Sequence, residues 1–134
     1  MNKRDYVKAA LRHEESDKVP YCIRLTSEAM NLYGDRLLED FCNKEVLDDF
    51  KAGLIDKNKA IQLSIGNFLC ETDFPWWSWD YGNMPKIYAS PLETPDMMPP
   101  IVRWDTDENL DRMAATSKLL SEKYKVYTAA LIWG

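Results

Sequence analysis

Val126-Tyr127-Thr128-Ala129-Ala130-Leu131-Ile132-Trp133 is an almost wholly apolar run without polar alternation. A strand with one face in water alternates apolar and polar residues. A run of this kind therefore predicts a strand covered on both faces, as in a parallel α/β sheet or barrel. Just upstream, Asp105-Thr106-Asp107-Glu108 opens the best-signalled helix of the chain. Its acidic first turn and the late lysines Lys118 and Lys123 both suit the helix dipole. Leu110, Met113, Ala114, Ser117 and Leu120 form its expected inner stripe. Near the amino terminus, Tyr21-Cys22-Ile23-Arg24-Leu25 follows the helix-stopping Pro20 and is a second candidate for a buried strand.

Helical segments occupy most of the remainder. Asn2 is placed to cap a helix over 3–12, with Asp5 in a capping-box position and Tyr6, Val7, Ala10 and Leu11 on its apolar face. Thr26 or Ser27 can cap a short helix that Gly34 closes. Helices over 35–42 and 44–52 follow, the first turning Leu37, Leu38 and Phe41 inward. The second is capped by Asn43, carries Val46, Leu47 and Phe50 on its stripe, and ends at Gly53. The acidic run Glu39, Asp40, Glu45, Asp48 and Asp49 reads as a solvated face. A helix over 57–70 should bury Ile61, Ile65, Phe68 and Leu69 and hold Gly66 in its interior, against a closely approaching neighbour.

Phe74-Pro75-Trp76-Trp77-Ser78-Trp79-Asp80-Tyr81 holds three of the five tryptophans. Side chains this large must face a core, a ligand or a partner. The stretch reads as a strand running into a long loop over 82–100, which contains five of the seven prolines. Ile101-Val102-Arg103-Trp104 reads as a brief extended return.

Composition narrows the function classes. A net charge of −5 argues against a nucleic-acid partner, because phosphate binding calls for a basic surface. There is no run long enough to span a membrane and no apolar segment behind the charged amino terminus, so a cytoplasmic protein is expected. Cys22, Cys42 and Cys70 are widely spaced and His13 is the single histidine, so buried reduced thiols are expected and no metal site within the chain. Two or three doubly buried strands leave a parallel sheet with open edges, and a closed eight-stranded barrel takes about 250 residues. The 134 residues are therefore read as a single domain, the incomplete front part of a larger barrel. The alternative is a small α/β domain that oligomerises to cover its edges.

Lys3-Arg4-Asp5-Tyr6-Val7-Lys8-Ala9-Ala10-Leu11-Arg12, followed by Glu14-Glu15 and Asp17-Lys18-Val19-Pro20, resembles the opening of the uroporphyrinogen decarboxylase superfamily. Pro100-Ile101-Val102-Arg103 with Asp107-Glu108-Asn109-Leu110 resembles a later segment of the same family. The resemblance implies the amino-terminal portion of a TIM-like (β/α)8 barrel: a helix-rich start, then the first barrel strands. It also implies a site at the carboxyl ends of those strands. One branch of the family removes carboxylates from a tetrapyrrole without a cofactor. Another moves methyl groups between corrinoid proteins and thiols, using zinc whose ligands would lie outside residues 1–134. Two positions carry over. Arg24 corresponds to a substrate-carboxylate arginine, a role suited to its planar fork. Asp80 corresponds to the catalytic aspartate that faces the pyrrole nitrogens and stabilises a protonated ring. Trp77 and Trp79 are candidate pocket walls, and Trp76 a core residue. The sequence departs from the decarboxylase pattern where Glu28 replaces a second arginine and where tryptophans flank Asp80. Such a chain is expected to act on a small molecule, as a homo-oligomer or with a partner supplying the rest of the barrel, and to lack full activity alone. A binding module in which the tryptophans stack on a tetrapyrrole or corrinoid is the non-enzymatic alternative, and Arg24 in a purely structural ion pair is the plain one.

Overall fold

The computed structural model describes residues 1–73, 77–79, 101–103 and 105–131. In chain order the elements are α1 (Lys3–Leu11), α2 (Ser27–Phe41), α3 (Lys44–Lys51), α4 (Lys57–Ser64), β1 (Leu69–Asp73), β2 (Trp77–Trp79), β3 (Ile101–Arg103), α5 (Asp107–Glu122) and β4 (Tyr127–Leu131). The chain is α/β. β1 and β4 pair in parallel, with Leu69 opposite Tyr127 and Asp73 opposite Leu131, and α5 lies in the connection between them. β2 and β3 pair antiparallel, Trp77 opposite Arg103 and Trp79 opposite Ile101. This hairpin is therefore an excursion from the carboxyl end of β1 before the chain enters α5.

Local chemistry sets the helix ends. Asn2 and Asp5 form the full capping box on α1, and Thr26, Asn43, Asp56 and Thr106 cap the other four helices. Three helices close in the same way, on a left-handed residue whose own N–H and whose successor's N–H reach back to the last turn. Those residues are His13 after α1, Gly53 after α3 and Gly66 after α4. The single histidine thus serves a helix end.

Gly34 and Gly66 exchange the roles the sequence suggested. Gly34 does not close a helix: α2 runs through it as one element from Ser27 to Phe41, and the glycine is buried where Lys57 of α4 crosses. A Cβ there would lie 2.7 Å from Lys57 Cε, so the close approach outweighs a helix-interior glycine's cost of about 1 kcal/mol. Gly66 is not inside a helix. It sits at φ +89° and terminates α4, releasing Leu69 and Cys70 into β1.

The main core gathers Leu38, Val46, Ile55, Ala60, Ile61, Leu63, Cys70, Leu120 and Val126, so α2, α3 and α4 share one apolar interior with the start of the sheet. A second cluster, Tyr6, Val7 and Phe68 with Tyr127 against it, seats α1 across the amino ends of β1 and β4. Tyr6 and Phe68 meet edge to face at 5.7 Å, and the Arg4 N–H donates to the Lys125 carbonyl at 2.8 Å. Ala10 and Leu11, expected on the apolar face of α1, are exposed, and Ala9 is buried instead. Phe41, expected inward, is 67% exposed.

The expected strand at 21–25 forms no ladder, yet the segment lies beside β1. Tyr21 accepts the Phe68 N–H at 3.0 Å, and Arg24 ion-pairs with Glu71. That constant offset gives a course parallel to β1. The buried Asn67 amide supplies what a strand neighbour would: its Oδ1 accepts the Ile23 N–H and its Nδ2 donates to the Ile23 carbonyl, both at 2.9 Å. A side chain bridging one residue twice replaces the ladder, which is why no regular strand forms.

On the far side the sheet is less covered than its sequence implies. Tyr127, Thr128 and Ala129 are only half-buried and Ala130 is exposed. Along α5, Leu110 and Ala114 of the expected inner stripe are exposed, and Leu120 is the fully buried member.

Candidate functional site

In parallel α/β sheets ligands bind outside the carboxyl ends of the strands, where loops rather than ladders present side chains. Here α1 covers the amino ends, leaving the end marked by Asp73, Leu131 and the residues just after Ile23. Arg24 lies against the middle of β1, two residues before that end. It stands one residue past the Asn67 clamp, with its side chain 46% exposed and its guanidinium against the 21% exposed carboxylate of Glu71. Glu71 is in register with Ala129, in the middle of β1.

Trp77 and Trp79 are alternate positions of β2, in the hairpin that leaves the end of β1. Asp80 and Trp76 lie outside the described residues. Asp73 is the last residue of β1, two positions beyond Glu71. Glu71, Asn67 and Asp73 are not among the site residues expected from the sequence. Their signal was present: Gly66-Asn67 is a helix stop, and Cys70-Glu71-Thr72-Asp73 alternates, with Cys70 and Thr72 buried.

At the next position of interest, Glu28 occupies the first turn of α2. Its own backbone N–H and the Thr26 hydroxyl hold its carboxyl below the ordinary value, which makes it a helix-start anion. The place where the resemblance has a second arginine thus carries a negative charge.

The expected solvated acidic face has one exception. Asp49 is buried at 8% exposure, and its Oδ2 accepts from Lys123 Nζ at 2.7 Å and from the Tyr124 hydroxyl at 2.6 Å. Those two donors, Lys123 first, hold the Asp49 carboxyl below its ordinary value. In return the Lys123 ammonium is pushed up, chiefly by its hydrogen bond to Asp49, while burial and then Asp49 raise the Tyr124 phenol. The trio ties α3 to the end of α5, and its groups bond one another rather than opening to a cleft.

Of the three thiols Cys22 is exposed, Cys42 half-buried and Cys70 buried, so the expectation of buried thiols holds fully for Cys70 alone. Burial pushes the Cys70 thiol up to about 12, leaving it protonated and unreactive at neutral pH. Among the described residues no three His, Cys, Asp or Glu side chains gather as a metal ion would require. No helix among them is long and apolar enough to cross a membrane. A hollow of about 340 Å³ lies along α2, lined by Tyr33, Arg36, Leu37, Asp40 and Phe41. All five come from one helix, and Arg36 already pairs with Asp40 at 3.3 Å.

Comparison with protein-family models, with curated proteins and with solved structures returned no match. The functional reading therefore rests on the geometry around Arg24 and on the resemblance in sequence.

Proposed function

We propose that residues 1–134 form the amino-terminal part of a TIM-like barrel enzyme similar to uroporphyrinogen decarboxylases, acting on a carboxylated tetrapyrrole or a related acid at the carboxyl ends of its strands. The observation that carries this reading is an order. The 21–25 segment runs alongside β1 in the same direction, and β1 in turn pairs in parallel with β4, with helices in each connection. A barrel is built by adding each strand beside the last, whereas doubly wound sheets reverse direction at a switch point. The half-covered β4 and the exposed Leu110 and Ala114 of α5 support it too, because a further β/α unit would bury them.

In this reading Arg24 holds a substrate carboxylate and Trp77 and Trp79 line the pocket. Asp80 accepts pyrrole N–H groups and stabilises the protonated ring. The decarboxylase reaction calls for no cofactor. A second reading, the corrinoid-dependent methyltransferase branch, is favoured by Glu28: one arginine without a second suits a polycarboxylate less well. Zinc and the corrinoid partner would then be bound by residues outside 1–134.

The decisive experiment is titration of uroporphyrin into the chain while following tryptophan emission. Saturable quenching that weakens about tenfold or more in Arg24→Gln supports the reading. Identical titrations for the two proteins would sink it. The chain by itself is expected not to turn over uroporphyrinogen, and measurable decarboxylation by it would contradict the incomplete-barrel reading.

A further inference from the structure

Arg24 already has a carboxylate. Glu71 occupies its guanidinium in the unliganded chain, and the two side chains are held together from both sides of the pair. On one side Asn67, fully buried, fixes the backbone at Ile23, so Arg24 cannot drift away from β1. On the other, Glu71 belongs to the β1–β4 ladder. Both side chains retain solvent exposure, Arg24 more than Glu71, so a ligand carboxylate that approaches the Glu71-facing edge of the guanidinium meets a carboxylate already there.

We infer that Glu71 is a specificity-determining residue: an internal counter-ion that a ligand carboxylate must displace from Arg24. The inference rests on the proposed role of Arg24. A simple anion gains one charge-assisted pair and breaks another, for little net affinity. A ligand that offers a carboxylate to Arg24 and an N–H or cationic group to Glu71 satisfies both ends of the couple. The site is therefore matched to molecules presenting an acid beside a hydrogen-bond donor, such as an acid-bearing pyrrole or an amino acid, rather than to plain polyanions. Glu71 acts through Arg24 and through the ligand's donor group, and no bond is made or broken on it.

The test is a gain of binding, which loss of a merely structural contact does not give. Uroporphyrin is titrated into the wild-type chain, Glu71→Gln, Glu71→Asp and Arg24→Gln, with folding checked by circular dichroism. Benzene-1,3,5-tricarboxylate, a polyanion without N–H donors, is titrated as a competitor. Glu71→Gln is expected to bind the tricarboxylate about tenfold more tightly than wild type. Glu71→Asp, whose carboxylate is withdrawn by one methylene, should gain less. Uroporphyrin, whose N–H facing residue 71 meets a neutral acceptor in Glu71→Gln and a withdrawn one in Glu71→Asp, should gain less than the tricarboxylate in both variants. If Arg24→Gln weakens uroporphyrin binding while Glu71→Gln and Glu71→Asp leave the tricarboxylate unchanged or weaker, the counter-ion role is wrong and the proposed site stands. If Arg24→Gln changes nothing, the proposed site itself is wrong. Should Glu71→Gln fail to fold, an unchanged or weakened tricarboxylate affinity in Glu71→Asp is enough to overturn the inference.

Discussion

The two sides of the molecule are finished to different degrees. Around α2, α3 and α4, residues such as Val46, Ala60 and Ile61 are at most 1% exposed, and even the polar Asp49, Gln62 and Asn67 are buried. Around α5 and β4, an equally apolar sequence leaves Leu110, Ala114 and Ala130 in water. The same hydrophobic pattern is thus used up in the interior shared by α2, α3 and α4 and left open on α5 and β4, as it also is on the outer face of α2 at Leu32, Tyr33 and Phe41. Burial is a property of neighbours, not of a segment's own composition.

That contrast can be broken most decisively by truncation. Ile61→Ala should destabilise the chain by about 3 kcal/mol, because a fully buried isoleucine leaves a cavity, whereas Leu110→Ala should cost about 0.5 kcal/mol or less. Urea unfolding of both variants measures the gap, and equal losses would erase the distinction between the two sides. Next in size is Asn67→Leu, expected to cost about 2 kcal/mol by removing both bonds to Ile23. It should also weaken uroporphyrin binding without altering Arg24, since the clamp sets where the guanidinium sits. Retained affinity in that variant would mean the 21–25 segment is held some other way.

Asp49→Ala should cost about 2 kcal/mol at neutral pH, since it removes two hydrogen bonds from a buried acceptor. The pH dependence has a definite sign. Asp49 is shifted down on folding, so its contribution is present above the ordinary carboxylate value of about 4 and is lost as pH falls through the depressed value. Lys123 and Tyr124 are shifted up, so theirs is present below about 10 and fades as pH rises through the raised values. The wild-type advantage over Asp49→Ala should therefore be flat near neutrality and shrink in strong acid and strong base, as thermal melts across pH would reveal. The smallest effect separates two glycines. Gly53→Ala, with open space around it, should cost about 1 kcal/mol for its left-handed backbone alone, while Gly66→Ala must in addition displace the Tyr21 hydroxyl at 2.9 Å. Equal midpoints for the two would show that the Tyr21 contact yields freely.

How far the sequence could be read follows the same division. Caps were legible because they are local: Asn2 and Asn43 each lie within three residues of the amide they satisfy. The parallel β4 was legible from its apolar run, and the β3 return from its position after the prolines. The two glycines were misread because both a helix stop and a close helix crossing call for the absence of a Cβ, and only the neighbour tells them apart. Asp49 looked like one more surface acid because its donors, Lys123 and Tyr124, stand far along the chain. At the site, Arg24 was legible as a charge at the end of an apolar stretch. Glu71 was not, because its importance lies in a contact between segments and not in its own surroundings.

The β2–β3 pairing has a consequence for how such a protein could diversify. Because Trp77 and Arg103 are held opposite each other, the chain leaves and re-enters the β1-to-α5 connection at one point. Everything between them is a side branch. Its length can double for a loop-closure cost of about 0.6 kcal/mol, with β1, α5 and β4 undisturbed. The β2–β3 pair is thus a grafting point, through which new segments can be exchanged while β1, α5 and β4 stay the same.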